Sequence, residues 1–128
     1  MTAFHPLLVA ALLFGSASAA LAEDLRLVNT VSFEGQVYLA NAEKMSLYTF
    51  DKDSAGTSAC YEKCAMNWPP LVAEDVAGLG EKYTLVARTD GTRQVAYDGK
   101  PLYLWVKDAK PGDTSGDGVN GVWHLARP

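Results

Sequence analysis

One phrase occurs twice in this chain. Leu47-Tyr48-Thr49-Phe50-Asp51-Lys52-Asp53 returns as Leu102-Tyr103-Leu104-Trp105-Val106-Lys107-Asp108, and the same spacing pairs Trp68 with Trp123. Leu, Tyr, an aromatic ring, Lys and Asp recur in register. Such self-similarity implies two copies of one structural unit. In a strand, side chains alternate faces. Tyr48 and Phe50 then share one face, with Leu47 and Thr49 on the other. Likewise Tyr103 and Trp105 oppose Leu102, Leu104 and Val106. Both faces of the second copy are apolar, which predicts a strand covered on both sides.

The repeated rings have two readings. In the structural one they fill a shared core, adding about 1 kcal/mol per pair through ring geometry. In the functional one the two aromatic faces meet in a cleft that holds a flat or apolar ligand. The structural reading is the expected one, with Tyr48, Phe50, Trp68, Tyr103, Trp105 and Trp123 buried or nearly so. Asp53 and Asp108 lie past the strand ends, where a carboxylate accepts backbone N–H groups of the following turn. These eight residues are the candidate motif and binding positions.

The rest of the chain reads as strands and turns. Residues 83–88, 92–97 and 102–106 are rich in β-formers and are separated by Asp90-Gly91 and Asp98-Gly99. Asp-Gly between such runs favours tight hairpins with positive φ at both central positions, so a three-stranded antiparallel meander is expected. Pro101 stands at a strand start, where a missing donor is tolerated. In the first half, residues 36–40 and 46–50 read as strands joined by Asn41 to Met45, with a further strand within Leu25 to Phe33. Gly35–Tyr38 and Gln94–Tyr97 look equivalent, one before each copy of the phrase. Between the halves, Ser58 is placed to cap a short helix, which Pro69-Pro70 ends. A distorted or single-turn helix is expected around Cys60 and Cys64, and another turn within Ala73 to Gly80. Residues 109–121 are mostly turn-formers, and 122–126 form a closing strand.

The first 22 residues read as a signal peptide. An apolar run, Leu7 to Phe14, precedes small residues with Ala-x-Ala sites ending at Ala19 and Ala22. Cleavage after Ala22 is preferred, because the charged chain starts at Glu23. The run is shorter than the ~20 residues of a membrane span. About 106 residues then remain, residues 23–128, the size of one small domain, with repeats over about 35–72 and 83–126. The net charge of −4 argues against nucleic acid and anionic membrane surfaces, which favour basic patches. Export implies an oxidising compartment, so a Cys60–Cys64 disulfide is the default reading. So short a loop removes little chain entropy, and the bridge would pin a local turn.

Chemistry-bearing constellations are sparse. Cys-x-x-x-Cys has the wrong spacing for a thioredoxin-like thiol pair, and no βαβ pattern surrounds it. Haem attachment is not indicated, since Ala65 follows Cys64. Asp108, Asp113, Asp117 and Asn120 offer oxygen donors for a cation, but without EF-hand spacing, and solvated turns are expected there. Met45, Met66, His124 and the cysteines are the soft-metal candidates, ungrouped in sequence. The mature part has one histidine and no nucleophile elbow, so no enzyme and no cofactor is expected.

Taken together, Tyr48-x-Phe50-x-x-Asp53, Tyr103-x-Trp105-x-x-Asp108, Cys60-x-x-x-Cys64-Ala-x-x-Trp68-Pro-Pro70, Gly99-Lys-Pro-Leu-Tyr103 and Pro111-Gly-Asp113 before Trp123 resemble a family of secreted repeat proteins, or predicted lipoproteins. That family carries a Tyr-x-(Phe/Trp/Tyr)-x-x-Asp motif, and the likeness spans about residues 35–126. The resemblance implies an exported protein and brings no catalytic residue with it. This chain lacks the family's lipid-attachment cysteine, so no lipid anchor is expected. The expected fold is all-β: two pseudo-repeated antiparallel sheet units of three or four strands, packed as a small sandwich or partly open barrel, with short helical turns around Cys60 and Cys64. The expected function is a non-catalytic binding or interaction module, periplasmic or secreted, whose partner is a small molecule or an envelope protein. The alternative is an envelope redox or metal-handling protein using Cys60, Cys64, Met66 and His124.

Overall fold

The structure, a computed structural model, describes residues 26–128; the expected signal segment and its cleavage sites lie outside them. Strands follow the sequence runs. β1 (Val28–Phe33) and β2 (Gln36–Asn41) form a hairpin whose Glu34-Gly35 turn has positive φ at both residues. β3 (Tyr48–Phe50) is short. A five-residue helix, α1 (Lys63–Asn67), follows. β4 (Tyr83–Ala87), β5 (Arg93–Tyr97) and β6 (Lys100–Pro101) make the antiparallel meander, and β7 (Trp123–Leu125) closes the chain. The strands form three small antiparallel sheets, β1-β2, β3-β7 and β4-β5-β6, with no closed barrel. No helix among the described residues is long and apolar enough to cross a membrane.

The β3-β7 pairing decides the architecture. Tyr48, Thr49 and Phe50 of the first copy oppose Leu125, His124 and Trp123 of the second. The matching segment of the first half, Trp68 to Val72, leaves its own half and joins the second. Pro70 bridges Tyr103, Val72 bridges Gln94, and Leu104 N–H donates to Pro69 O (2.7 Å). The two units therefore exchange their last strands and are not separate sheets. At the centre Tyr48 and Tyr103 pair with each other, N–H to O at 2.8 and 2.9 Å in the two directions.

Equivalent backbone groups close the same ring of hydrogen bonds on each side. Leu47 donates to Leu39 O, Leu39 to Ala126 O and Ala126 to Leu47 O, at 3.0, 2.9 and 2.8 Å. Leu102 donates to Val95 O, Val95 to Leu71 O and Leu71 to Leu102 O, at 2.9, 2.8 and 3.0 Å. Leu39 is thus equivalent to Val95, and Tyr38 to Gln94. This is three residues away from the match expected between the two leading strands, Tyr38 with Tyr97, and the connection from Leu39 to Leu47 is one residue longer than that from Val95 to Leu102.

The alternation expected of the phrase holds. Tyr48, Tyr103, Trp68 and Trp123 lie in one buried cluster, while Leu47, Leu102, Leu39, Val95, Leu71 and Ala126 lie in another. The rings form a palindromic stack, Phe50–Trp123–Trp68–Trp105, with centroids 4.1, 3.8 and 3.9 Å apart. Trp68 and Trp123 are parallel to within 3°. Phe50 and Trp105 cap the ends and are only half-buried. Gly116 makes room for this core, since a Cβ there would come within 2.9 Å of both the Trp68 and Tyr48 rings.

Several local expectations are corrected. Leu102–Val106 is not a regular strand. It is held by single bridges from Tyr103 and turns away after Trp105, where Asp108 N–H bonds Trp105 O. Leu102 and Tyr103 are buried on opposite faces, so the segment is covered on both sides at its start, but Val106 at its end is exposed. At Asp98-Gly99 both residues have positive φ, whereas at Asp90-Gly91 only Gly91 does. The latter loop is wider, closed by Arg88 N–H to Thr92 O, with Asp90 accepting from the Thr92 N–H and hydroxyl. Ser58 does not cap α1, whose N-cap is Glu62; its hydroxyl is drawn into the core by Tyr103. Val76 O and Leu79 N–H form the expected turn in residues 73–80.

Trp68→Ala and Trp123→Ala should each cost about 3–5 kcal/mol, the range for large aromatic-to-Ala core changes. Trp105→Ala and Phe50→Ala should cost less, because those rings at the ends of the stack are partly exposed. Urea denaturation of the four variants checks this ordering.

Candidate functional site

The strand exchange sets where the motif's polar ends go. Tyr48 O–H donates to Asp108 Oδ2 at 2.6 Å, and Tyr103 O–H to Asp53 Oδ2 at 2.7 Å. Each tyrosine therefore bonds the aspartate of the other copy. The carboxylates also hold the turns that follow them, as expected: Asp53 Oδ1 accepts from Ala59 N–H (2.7 Å), and Asp108 Oδ1 from Ser115 N–H (3.0 Å) and Oγ (2.7 Å). Gly116 N–H donates to the Tyr48 oxygen at 3.2 Å. Burial, reinforced by the bond to Asp108, pushes the Tyr48 phenol far above its ordinary value. Burial does the same to Tyr103. Neither ionises in the working range, so both remain hydrogen-bond donors.

The two ends differ in their outer partners. Tyr103 reaches Ser58 Oγ (2.6 Å), which accepts from Arg88 Nη1 (3.0 Å). Arg88 is buried, with a side chain only 1 % exposed. It also donates to Gln94 Oε1 (2.8 Å) and Cys60 O (2.8 Å), and its guanidinium lies 4.3 Å from the Tyr61 ring centre. Its Nε has no hydrogen bond, only Asp90 Oδ2 at 4.0 Å. Sequence reading missed this buried cation. The signal was present: with period-two alternation, Arg88 falls on the same face as buried Val86. Burial raises the Asp53 pKa, opposed by the Tyr103 and Ala59 hydrogen bonds and by Arg88.

The two aromatic faces of the motif do not meet in a cleft. Stacked at van der Waals distance, they leave no space for a flat ligand between them. Cys60 and Cys64 are joined in a disulfide. Met66 is exposed, and exposed His124 pairs with Asp51 (Nε2 to Oδ2, 2.8 Å). The oxygen-donor candidates diverge. Asp108 serves Tyr48 and Ser115. Asp113 holds Ala109 N–H and Lys110, whose hydrogen bond keeps its carboxyl below the usual range. Asp117 accepts from Leu125 N–H (2.9 Å), and Asn120 is exposed. Among the described residues no three His, Cys, Asp or Glu side chains gather as a metal site.

Open space lies beside the Phe50 end of the stack. A cleft of about 260 Å³ runs between Thr49, Phe50 and Asp53 on one side and Asp98, Gly99 and Lys100 on the other. It continues past Thr49, Asp51, Asp98 and Lys100 into a groove of about 500 Å³ that also touches Lys82, Tyr97, His124 and Arg127. Both halves line it, and both charge signs are present.

The model of a secreted repeat of unknown function matches residues 35–72 and again 84–127. The chain belongs to that family. The two matched copies are the two halves that exchange strands here, and the family's description makes this a secreted protein. Neither the curated proteins nor the solved structures contain a match to the chain.

Double-mutant cycles should read the crossing directly. Tyr48→Phe with Asp108→Asn, and Tyr103→Phe with Asp53→Asn, should show coupling of about 0.5–3 kcal/mol. The within-copy combinations Tyr48→Phe with Asp53→Asn and Tyr103→Phe with Asp108→Asn should be nearly additive. A pH effect follows from Asp53. A carboxyl whose folded pKa is raised favours the folded state while protonated. Its contribution is present below the unfolded value of about 3.9 and is lost as pH rises through the folded one. The stability of wild type relative to Asp53→Asn should therefore fall with rising pH across that window and then level off, as read from urea midpoints.

Proposed function

We propose that this secreted repeat protein is a non-catalytic binding module, acting in the periplasm or outside the cell, and that its ligand surface is the groove beside Phe50. One observation carries the reading. The motif's tyrosines and carboxylates are consumed by each other inside the molecule, whereas the groove holds charged groups that are not. Lys100 and Asp98 make no side-chain hydrogen bond or ion pair among the described residues, and both face the same space. With Asp51, His124, Lys82 and Arg127 around it, the groove suits a small polar molecule carrying both charge signs. Thr49 offers a hydroxyl, and Phe50 and Tyr97 offer apolar ring surface. The redox alternative has less support. The Cys60 side is buried and its carbonyl is tied down by Arg88, which favours an inert staple over an exchanging pair.

The test is a titration of labelled protein with zwitterionic and singly charged amino acids, short peptides and amino sugars, following backbone amide shifts. Shifts should cluster at Thr49, Asp51, Asp98, Lys100 and His124. Lys100→Ala and Asp98→Ala should each weaken binding about ten- to a hundredfold, the loss of one charged hydrogen bond of about 1.5–3 kcal/mol. Turnover of a titrant, or shifts centred elsewhere, would overturn the reading.

A further inference from the structure

The contacts that join the halves are reciprocal. Tyr48 meets Tyr103, Trp68 meets Trp123, Tyr48 bonds Asp108 as Tyr103 bonds Asp53, and each half ends its neighbour's sheet. A surface on which residue i meets j while j meets i is the isologous kind that closes a symmetric dimer. Here one covalent segment, Ala73 to Lys82, makes it intramolecular. That segment forms no strand or helix, although Ala73, Val76 and Leu79 rest on the aliphatic core and Ala73 N–H and Lys82 O bond Arg93 O and Asp98 N–H. Its own hydrogen bonds are single turns, such as Leu79 N–H to Val76 O and Ala77 N–H to Asp75 Oδ1, and Gly78 and Gly80 have positive φ.

We propose that the interface between the halves also accepts a second copy of this chain, giving an exchanged dimer in which each first half docks on the other chain's second half. All contacts between residues 28–72 and 83–127 are kept in that dimer, and only residues 73–82, with the contacts they make, change path. A linker of this length gives an effective concentration of about millimolar order, which holds the native chain closed at ordinary concentrations. The geometry also states how to open it. Val72 lies against Gln94 on one edge of β5, while Tyr83 pairs with Tyr97 on its other edge. Two strand spacings across and three residues along put these points roughly 14 Å apart. Deleting residues 74–81 leaves Ala73 and Lys82, whose reach is about 11 Å.

The experiment is light scattering on the exported chain carrying that deletion. The expected result is a dimer with the near-ultraviolet dichroism of the stacked indoles, dissociating no faster than the protein unfolds. A folded monomer overturns the proposal, as does a dimer that falls apart on dilution without unfolding. Should the deletion variant fail to fold, the wild-type chain is unfolded with its disulfide intact and refolded at rising concentration up to about 1 mM, near the effective concentration of the linked halves. A kinetically trapped dimer fraction that grows with concentration supports the proposal, and monomer alone at every concentration overturns it.

Discussion

The exchange of terminal strands between the two halves is the constraint from which the rest of this structure follows. Once Trp123–Leu125 pairs with Tyr48–Phe50, and Trp68 to Val72 with the second half, each tyrosine is carried to the far copy's aspartate. The same move brings the two motif tryptophans face to face. The buried phenols are satisfied only by this crossing, and an unmet phenol or carboxylate in such a core would cost about 1–3 kcal/mol. Packing and polar satisfaction therefore specify one arrangement, in which neither half completes its sheet alone.

This economy explains where function is and is not found. A Tyr-x-aromatic-x-x-Asp phrase looks like a recognition motif when met as a string. In the fold its tyrosine hydroxyl and carboxylate find partners inside the molecule and its second ring stacks on a tryptophan, with only Phe50 also lining open space. What the fold leaves for a ligand lies beside it, in a groove lined by Thr49 and Asp51 from one copy and Asp98, Lys100 and His124 from the other. The disulfide has a related place. It sits next to the buried Arg88, Ser58 and Tyr103, where the first copy needs a staple. At the corresponding place in the second copy, Ser115 holds Asp108 through its N–H and hydroxyl.

Much of the fold was legible in the sequence. Alternation along Leu47–Phe50 separated the aromatic core from the aliphatic one, and the Asp98-Gly99 turn and the meander followed from β-formers broken by positive-φ residues. The exchange was not legible. A repeat shows that two units exist, but whether a closing strand returns to its own unit or crosses depends on long-range pairing that local pattern does not encode. The same holds for Ser58, whose position before a helix reads as a cap until Tyr103 arrives from 45 residues away to claim its hydroxyl. The candidate groove was legible only in pieces, because Thr49, Lys100 and His124 become neighbours through the crossing.

The tryptophan stack has a consequence for how such a chain changes over generations. Tandem copies ordinarily drift apart, each free to vary while the other keeps the trait. Here each stacked ring of one copy rests on a ring of its twin, so a substitution in either is felt by both. Heredity must treat the pair as a single character.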